Sequence, residues 1–386
     1  MRRLQNSVKR YAWGDPLAIP RLLGVQATGE PQAELWLGAH RSDPSKVDGR
    51  RLDELISENP TRVLGERSVA QFGPTLPFLL KVLAAAKPLS LQAHPSRAQA
   101  KAGMQRESHR TDASDSPTRS YRDDNHKPEL ICALTPFEAL CGFRKTSESV
   151  ALFRALGVAA PTLERHGLRA YFEEVMTAPA EQQRALSAKV ATACETATTS
   201  YERTRIVGLR LAQQYPGDVG LIGALLLNLV TLRPGEALYL PAGNLHAYLE
   251  GTGIEIMASS DNVLRGGLTP KHVDVAELLQ VLDFSDGPAE PLRPVPTGRV
   301  GESVYETPVQ DFELSCLSLA VAQSLALERR GADIVLVTEG RVTAVTMTQS
   351  LTLAQGESAF IEAADGPVTL RGPGEAFRAT VGRWGA

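Results

Sequence analysis

The sequence has little of what would place it outside the cell, in a membrane or on a nucleic acid. Its four cysteines, Cys132, Cys141, Cys194 and Cys316, form no CxxC pair. That spacing speaks against a disulfide framework and fits buried thiols of a cytoplasmic protein. No run of about eighteen apolar residues occurs, so no helical membrane span is expected. The first residues, Met1-Arg2-Arg3-Leu4-Gln5-Asn6-Ser7, are basic but lead into no apolar signal core, which argues against secretion. The net charge is −3, from 41 Lys and Arg against 44 Asp and Glu. The basic excess of a nucleic-acid binder is missing. A cytoplasmic monomer with no membrane and no nucleic-acid partner is the expectation.

What is present is enough apolar residue, 43 % of 386, for a proper core and two or three domains. Short strand-like runs punctuated by Gly and Pro fill 1–146, for example Glu129-Leu130-Ile131-Cys132-Ala133-Leu134. Such spacing favours a β-sandwich or barrel. The polar stretch 98–125 reads as a helix followed by a long loop. From 147 to 216 the chain turns Ala-, Glu-, Gln- and Arg-rich, with Leu186, Val190, Ala193 and Ala197 at helical spacing. Strand-like sequence resumes at Leu225, and the prolines after Asp286 read as a linker to a last β-rich part, 286–386. The fold class expected is mainly β with an α-helical insertion. Its domains are 1–146 with 217–285, the insertion 147–216, and 286–386.

One internal repeat supports two related β units. Thr231-Leu232-Arg233-Pro234-Gly235-Glu236-Ala237-Leu238-Tyr239-Leu240 resembles Thr352-Leu353-Ala354-Gln355-Gly356-Glu357-Ser358-Ala359-Phe360-Ile361. The first copy continues to Pro241, Gly243 and His246; the second carries no histidine. A chance match of two turn–strand units is the alternative.

Three short motifs carry metal-ligand types. Gly235 to His246 reads G-x5-P-x-G-x2-H. It resembles the second motif of cupins, small jelly-roll β-barrels that bind metals inside, and two such barrels plus a helical domain would account for the chain. Alone, the pattern fits a ligand or a satisfied histidine after a turn. Gln92-Ala93-His94 places two residues on one face of a strand, inside a barrel or on a surface. Glu129 opens an apolar strand behind Pro128, which holds Lys127 extended. A carboxylate there is costly unless it is paired or bound to a metal. Two imidazoles, a carboxylate and an amide oxygen make an N/O set for zinc, with iron, cobalt or manganese as substitutes.

Together with Ala33-Glu34-Leu35-Trp36-Leu37-Gly38-Ala39-His40, Pro88-Leu89-Ser90-Leu91-Gln92-Ala93-His94-Pro95, Asn125-His126-Lys127-Pro128-Glu129 and Asp261-Asn262-Val263-Leu264-Arg265-Gly266-Gly267-Leu268-Thr269-Pro270-Lys271, these motifs resemble the type I phosphomannose isomerases. The resemblance spans nearly the whole chain, in order. It implies one zinc per chain held by Gln92, His94, Glu129 and His246. It also implies a phosphorylated hexose substrate and reversible aldose–ketose isomerisation of mannose 6-phosphate to fructose 6-phosphate through a cis-enediol. Ser96 and Arg97 depart from the acidic or Asn residue and Lys of many relatives, and the stretch 104–124 matches loosely.

That chemistry needs an acid or base and preorganised positive charge. Lys127, on the face of Glu129, is a candidate base, and His126 and Asp261 are candidates for ring opening. Arg265, beside two glycines that allow close backbone approach, is the candidate for stabilising an enediolate; a loop salt bridge is its plain alternative. Lys81 and Lys271 are candidates for phosphate, with Lys81 alternatively a solvated residue near a strand end. Ser90 and Tyr248 are candidates for hydrogen bonds to the substrate. Three rivals stand beside this reading: a cupin dioxygenase with an iron site, a sugar-phosphate-binding cupin without turnover, and a metal-dependent isomerase of another aldose. No glycine-rich motif opens the chain, against a bifunctional type that also makes GDP-mannose. Mannose catabolism and GDP-mannose supply are both open.

Overall fold

The two turn–strand copies build the two halves of the molecule. In the computed structural model, which describes residues 1–108 and 118–383, each copy joins a strand to the next through a turn closed by its own glutamate. Arg233 N–H donates to Glu236 Oε2 (3.0 Å) and Ala354 N–H to Glu357 Oε2 (2.8 Å). Gly235 and Gly356 hold the left-handed conformation these turns need, at φ 85° and 78°.

Among the described residues, each copy belongs to one of two ten-stranded sheets. The first runs in the order Leu227–Leu232, Phe137–Phe143, His246–Ala258, Phe78–Ala85, Glu34–Gly38, Ser7–Lys9. The strands Leu91–Ala93, Glu129–Ala133, Ala237–Leu240 and Leu264–Gly267 join its sides. The second sheet is built mostly from Val295–Thr380, but its edge is Arg2–Arg3, paired with Phe360 and Ala359. The two sheets share one apolar core, in which Leu80, Val82, Leu130 and Ile256 of the first meet Leu314, Ile334 and Phe360 of the second, with Phe312 beside them.

The stretch that reads as helical from its spacing forms the helices Thr146–Ala155, Pro161–Thr177, Ala180–Thr196 and Glu202–Gln214. Val190 of the predicted stripe is buried, with Leu186, Ala193 and Ala197 packed partly against the same core. The polar stretch after 96 does form a helix, Arg97–Ser108, and the expected loop beyond it falls largely outside the described residues. One boundary differs from expectation. Before the strand Leu227–Leu232 comes a short helix, Gly220–Leu225, with every residue buried. A helix apolar all round shows no amphipathic period, so its sequence reads as the start of a strand. The linker is also more ordered than its prolines suggest. Leu292 exchanges two backbone hydrogen bonds with Ala237, and Val295–Pro296 pairs with Val304 and Ser303.

The four cysteines are free; three are buried and Cys316 is half-buried. No helix among the described residues is long and apolar enough to cross a membrane.

Candidate active site

The long strand His246–Ala258 gathers the site. His246, its first residue, lies opposite Gln92, and Gln92 lies opposite Arg265 on the other side. Met257, near its far end, lies opposite Glu129. His94 follows the short strand Leu91–Ala93 directly. The turn made by Pro241 and Gly243 returns the chain so that His246 is buried rather than exposed.

Three of the predicted ligands meet. His94 Nε2 is 3.3 Å from Glu129 Oε1, and His246 Nε2 is 3.4 Å from Glu129 Oε2. The ligand atoms of the trio all lie within 4.8 Å of one another. Each imidazole is oriented through its other nitrogen. His94 Nδ1–H donates to the Asn262 carbonyl at 2.7 Å and His246 Nδ1–H to the Asn244 carbonyl at 3.0 Å. A carbonyl only accepts, so each Nδ1 carries a proton and each Nε2 is turned toward Glu129.

Both Nε2 atoms and Glu129 Oε2 are buried without a hydrogen-bond partner. Three orphaned polar atoms turned toward one another are costly as they stand. A divalent cation satisfies all three, and two neutral imidazoles with a carboxylate are zinc donors. Burial first, and then Lys127, pushes the His94 imidazole down to about 4, which keeps it neutral. Burial opposes ionisation of Glu129, yet Lys127 and His94 outweigh it and hold the carboxyl well below its ordinary range. The donor set therefore fits the metal that the sequence motifs imply.

A cavity of about 580 Å³ reaches this group. Gln92, Glu129, Lys127, Asp261, Arg265, Lys271, Ser90, Tyr248 and Lys81 all line it. Lys127 Nζ is 3.1 Å from Glu129 Oε1. Burial lowers the Arg265 guanidinium, and Arg122 lowers it further; burial, Arg265 and Arg122 do the same to Lys271. Like charges gathered on one wall mark a place prepared for an anion.

Two residues sit differently from expectation. Lys81 is buried in the middle of Phe78–Ala85, not solvated near a strand end, with Nζ 2.9 Å from Glu255 Oε2 and 3.5 Å from Glu34 Oε1. Burial would lower its pKa, but Glu255 and Glu34 outweigh that and raise it. His126 is not in the cavity lining; its Nε2 is 3.0 Å from Asp311 Oδ2.

The imidazole that does touch Asp261 is His40, with Nε2 3.3 Å from Oδ1. Burial pushes the Asp261 carboxyl up, while His40, Lys127 and Arg41 outweigh it and hold it low. Sequence reasoning gave no role to His40, Glu34, Trp36 or Glu255, all of which line the cavity. Glu255 carried a usable signal, a charge inside the apolar run Ile254-Glu255-Ile256-Met257.

A metal-ligand trio under a cavity with a cationic wall defines a β protein equipped as a metal enzyme for a small anionic substrate. A family model, the phosphomannose isomerase type I catalytic domain, matches residues 1–146. The chain is similar to the mannose-6-phosphate isomerase of Escherichia coli, 38 % identical over 392 residues, covering 98 % of this chain and 99 % of the relative. It is similar to that of Salmonella typhimurium at 39 % identity over 394 residues, with coverage of 98 % and 99 %. Among solved structures it is similar to a zinc-bound mannose 6-phosphate isomerase, with a TM-score of 0.91, 37 % identity and 99 % of each chain covered. The chain belongs to the type I phosphomannose isomerases and is an enzyme of that family.

Proposed function

We propose that the protein interconverts mannose 6-phosphate and fructose 6-phosphate through a cis-enediol, with one zinc ion per chain. The carrying observation is the trio of orphaned ligand atoms of His94, Glu129 and His246 at a cavity whose wall gathers Arg265, Lys271 and Arg122. Zinc held by these three residues and Gln92 would supply a Lewis acid toward the substrate oxygens.

The chain's own groups divide the remaining work. In the forward direction a proton leaves C2 and is delivered to C1, while the O2 proton ends on O1. Lys127, in the lining beside Glu129, is the group proposed to carry the carbon-bound proton. Arg265 bears a permanent charge to face the enediolate. Lys271 receives the phosphate. Asp261, kept ionised with His40 beside it, serves ring opening. The Tyr248 hydroxyl donates to Glu255 Oε1 at 2.9 Å, which leaves its lone pairs to accept from a sugar hydroxyl; Ser90 adds a second polar contact. Lys81, clamped by two carboxylates, forms cavity wall in this reading, and His126 stands outside the reaction.

The same reading takes the two sheets as cupin jelly-roll barrels. The catalytic one is drawn from 1–146 and 217–285, a helical insertion spans 147–216, and a histidine-free barrel ends the chain at 286–386. The repeated turn, with its glutamate hydrogen bond in both sheets, supports this division.

The test is turnover of mannose 6-phosphate before chelation, after chelation and after zinc is restored. Activity that disappears and returns is expected. A folded, zinc-loaded sample that produces no fructose 6-phosphate contradicts the proposal.

A further inference from the structure

His126 and Arg97 meet on a residue from the other end of the chain. Asp311 Oδ2 is 3.0 Å from His126 Nε2, Asp311 Oδ1 accepts from Arg97 Nη2 at 3.1 Å, and the same Arg97 Nη2 is 2.9 Å from His126 Nε2. Asp311 precedes Phe312 of the shared core and its side chain is 5 % exposed, although the Arg97 side chain is 45 % exposed. A surface pair of this kind is worth little. A buried carboxylate that loses its partners is expensive.

The two partners are placed symmetrically about the site. Arg97 comes three residues after His94 (97 − 94), and His126 three residues before Glu129 (129 − 126). Both segments lead straight into the metal-ligand trio. Pro128 keeps Lys127 extended, and neighbouring side chains of an extended segment point to opposite sides. His126 accordingly turns to Asp311 while Lys127 turns into the cavity.

We infer that Asp311 is a positioning residue for the isomerisation. From the histidine-free part of the chain it ties together the segments that present His94 and Lys127–Glu129, with His126 as its handle. The inference rests on the proposed isomerisation only for its kinetic readout.

Two measurements test it on the full-length, zinc-loaded protein. Asp311→Ala is expected to lower kcat at least about tenfold with KM changed less than about twofold, the pattern of a misplaced reacting group. Amide hydrogen exchange in 118–127 is expected to quicken in the same variant, a readout that needs no turnover. His126→Ala should repeat the loss. His126→Gln, whose side-chain amide can donate to Asp311 and accept from Arg97, should recover a third or more of it. Should Asp311→Ala not fold, Asp311→Asn, with the same shape and one acceptor lost, is expected to show a smaller loss of the same kind. Wild-type kcat and unchanged exchange in a folded Asp311 variant overturn the inference. So does a His126→Gln variant as impaired as His126→Ala, since the imidazole would then act for itself. If the wild-type protein does not turn over mannose 6-phosphate, the functional reading fails, and the exchange data alone decide the role of Asp311.

Discussion

The two copies of the repeat make the same turn and then treat a buried carboxylate in opposite ways. Thr231 corresponds to Thr352, so Leu240 corresponds to Ile361 (240 + 121). Leu240 pairs with Glu129 and Ile361 pairs with Asp333. Glu129 and Asp333 are therefore counterparts in register. Asp333 is answered by the chain itself, with Arg378 Nη2 2.7 Å from Oδ1 and Arg329 Nε 2.7 Å from Oδ2. Glu129 has Lys127 Nζ 3.1 Å from Oε1, but its Oε2 faces the His246 imidazole and has no hydrogen-bond partner. A guanidinium is a permanent cation and completes its carboxylate. Two imidazoles whose Nε2 atoms have no partner leave theirs open to a metal. The difference between a structural and a functional site thus lies in the partners of one carboxylate, not in the strands that carry it.

The sharpest way to break the comparison is Glu129→Ala. It removes the one anionic ligand, and turnover should fall by about a thousandfold or more with zinc lost from the protein, measured by metal content and kcat on the same sample. Next comes Arg265→Ala, which should keep zinc and lower kcat by about a hundred- to a thousandfold, the scale for losing one charge-stabilising group. Retained zinc with nearly full turnover would remove Arg265 from its role.

In the other sheet the effect should move from activity to stability. Arg378→Met strips one partner from each of the buried carboxylates Asp333 and Glu302. A loss of about 3–5 kcal/mol is expected in denaturant unfolding, with kcat per folded chain unaltered. A fall in kcat without a fall in stability would merge the two roles that the comparison separates.

The smallest effects concern the turn glycines. A Cβ on Gly235 would meet nothing within 4 Å, so Gly235→Ala should cost only the left-handed backbone, about 1–2 kcal/mol. A Cβ on Gly356 would lie 2.5 Å from the Leu22 carbonyl oxygen, so Gly356→Ala should cost more. Equal unfolding midpoints for the two variants would contradict this.

Much of the site was legible because its signals are local. Gln92 and His94 show as strand neighbours of period two, His246 follows its turn glycines, and Glu129 interrupts apolar sequence behind a proline. What escaped was set by distance along the chain. Lys81 looks solvated until Glu255, 174 residues away, is placed beside it. Nothing beside His126 in the sequence announces Asp311, 185 residues away, with Oδ2 3.0 Å from its Nε2. No local pattern announces that Arg2–Arg3 will edge the sheet formed by the last part of the chain, because that pairing depends on which strand edge the fold leaves open.

The most direct measurement is zinc content against added zinc, with turnover read on the same samples, for the wild type, Glu129→Ala and Asp333→Asn. Binding should level at one zinc per chain in the wild type and in Asp333→Asn, with activity rising in proportion, and Glu129→Ala should bind none tightly. Turnover of mannose 6-phosphate by zinc-free protein, or tight zinc binding that survives loss of Glu129, would contradict the assignment of the metal to the first sheet.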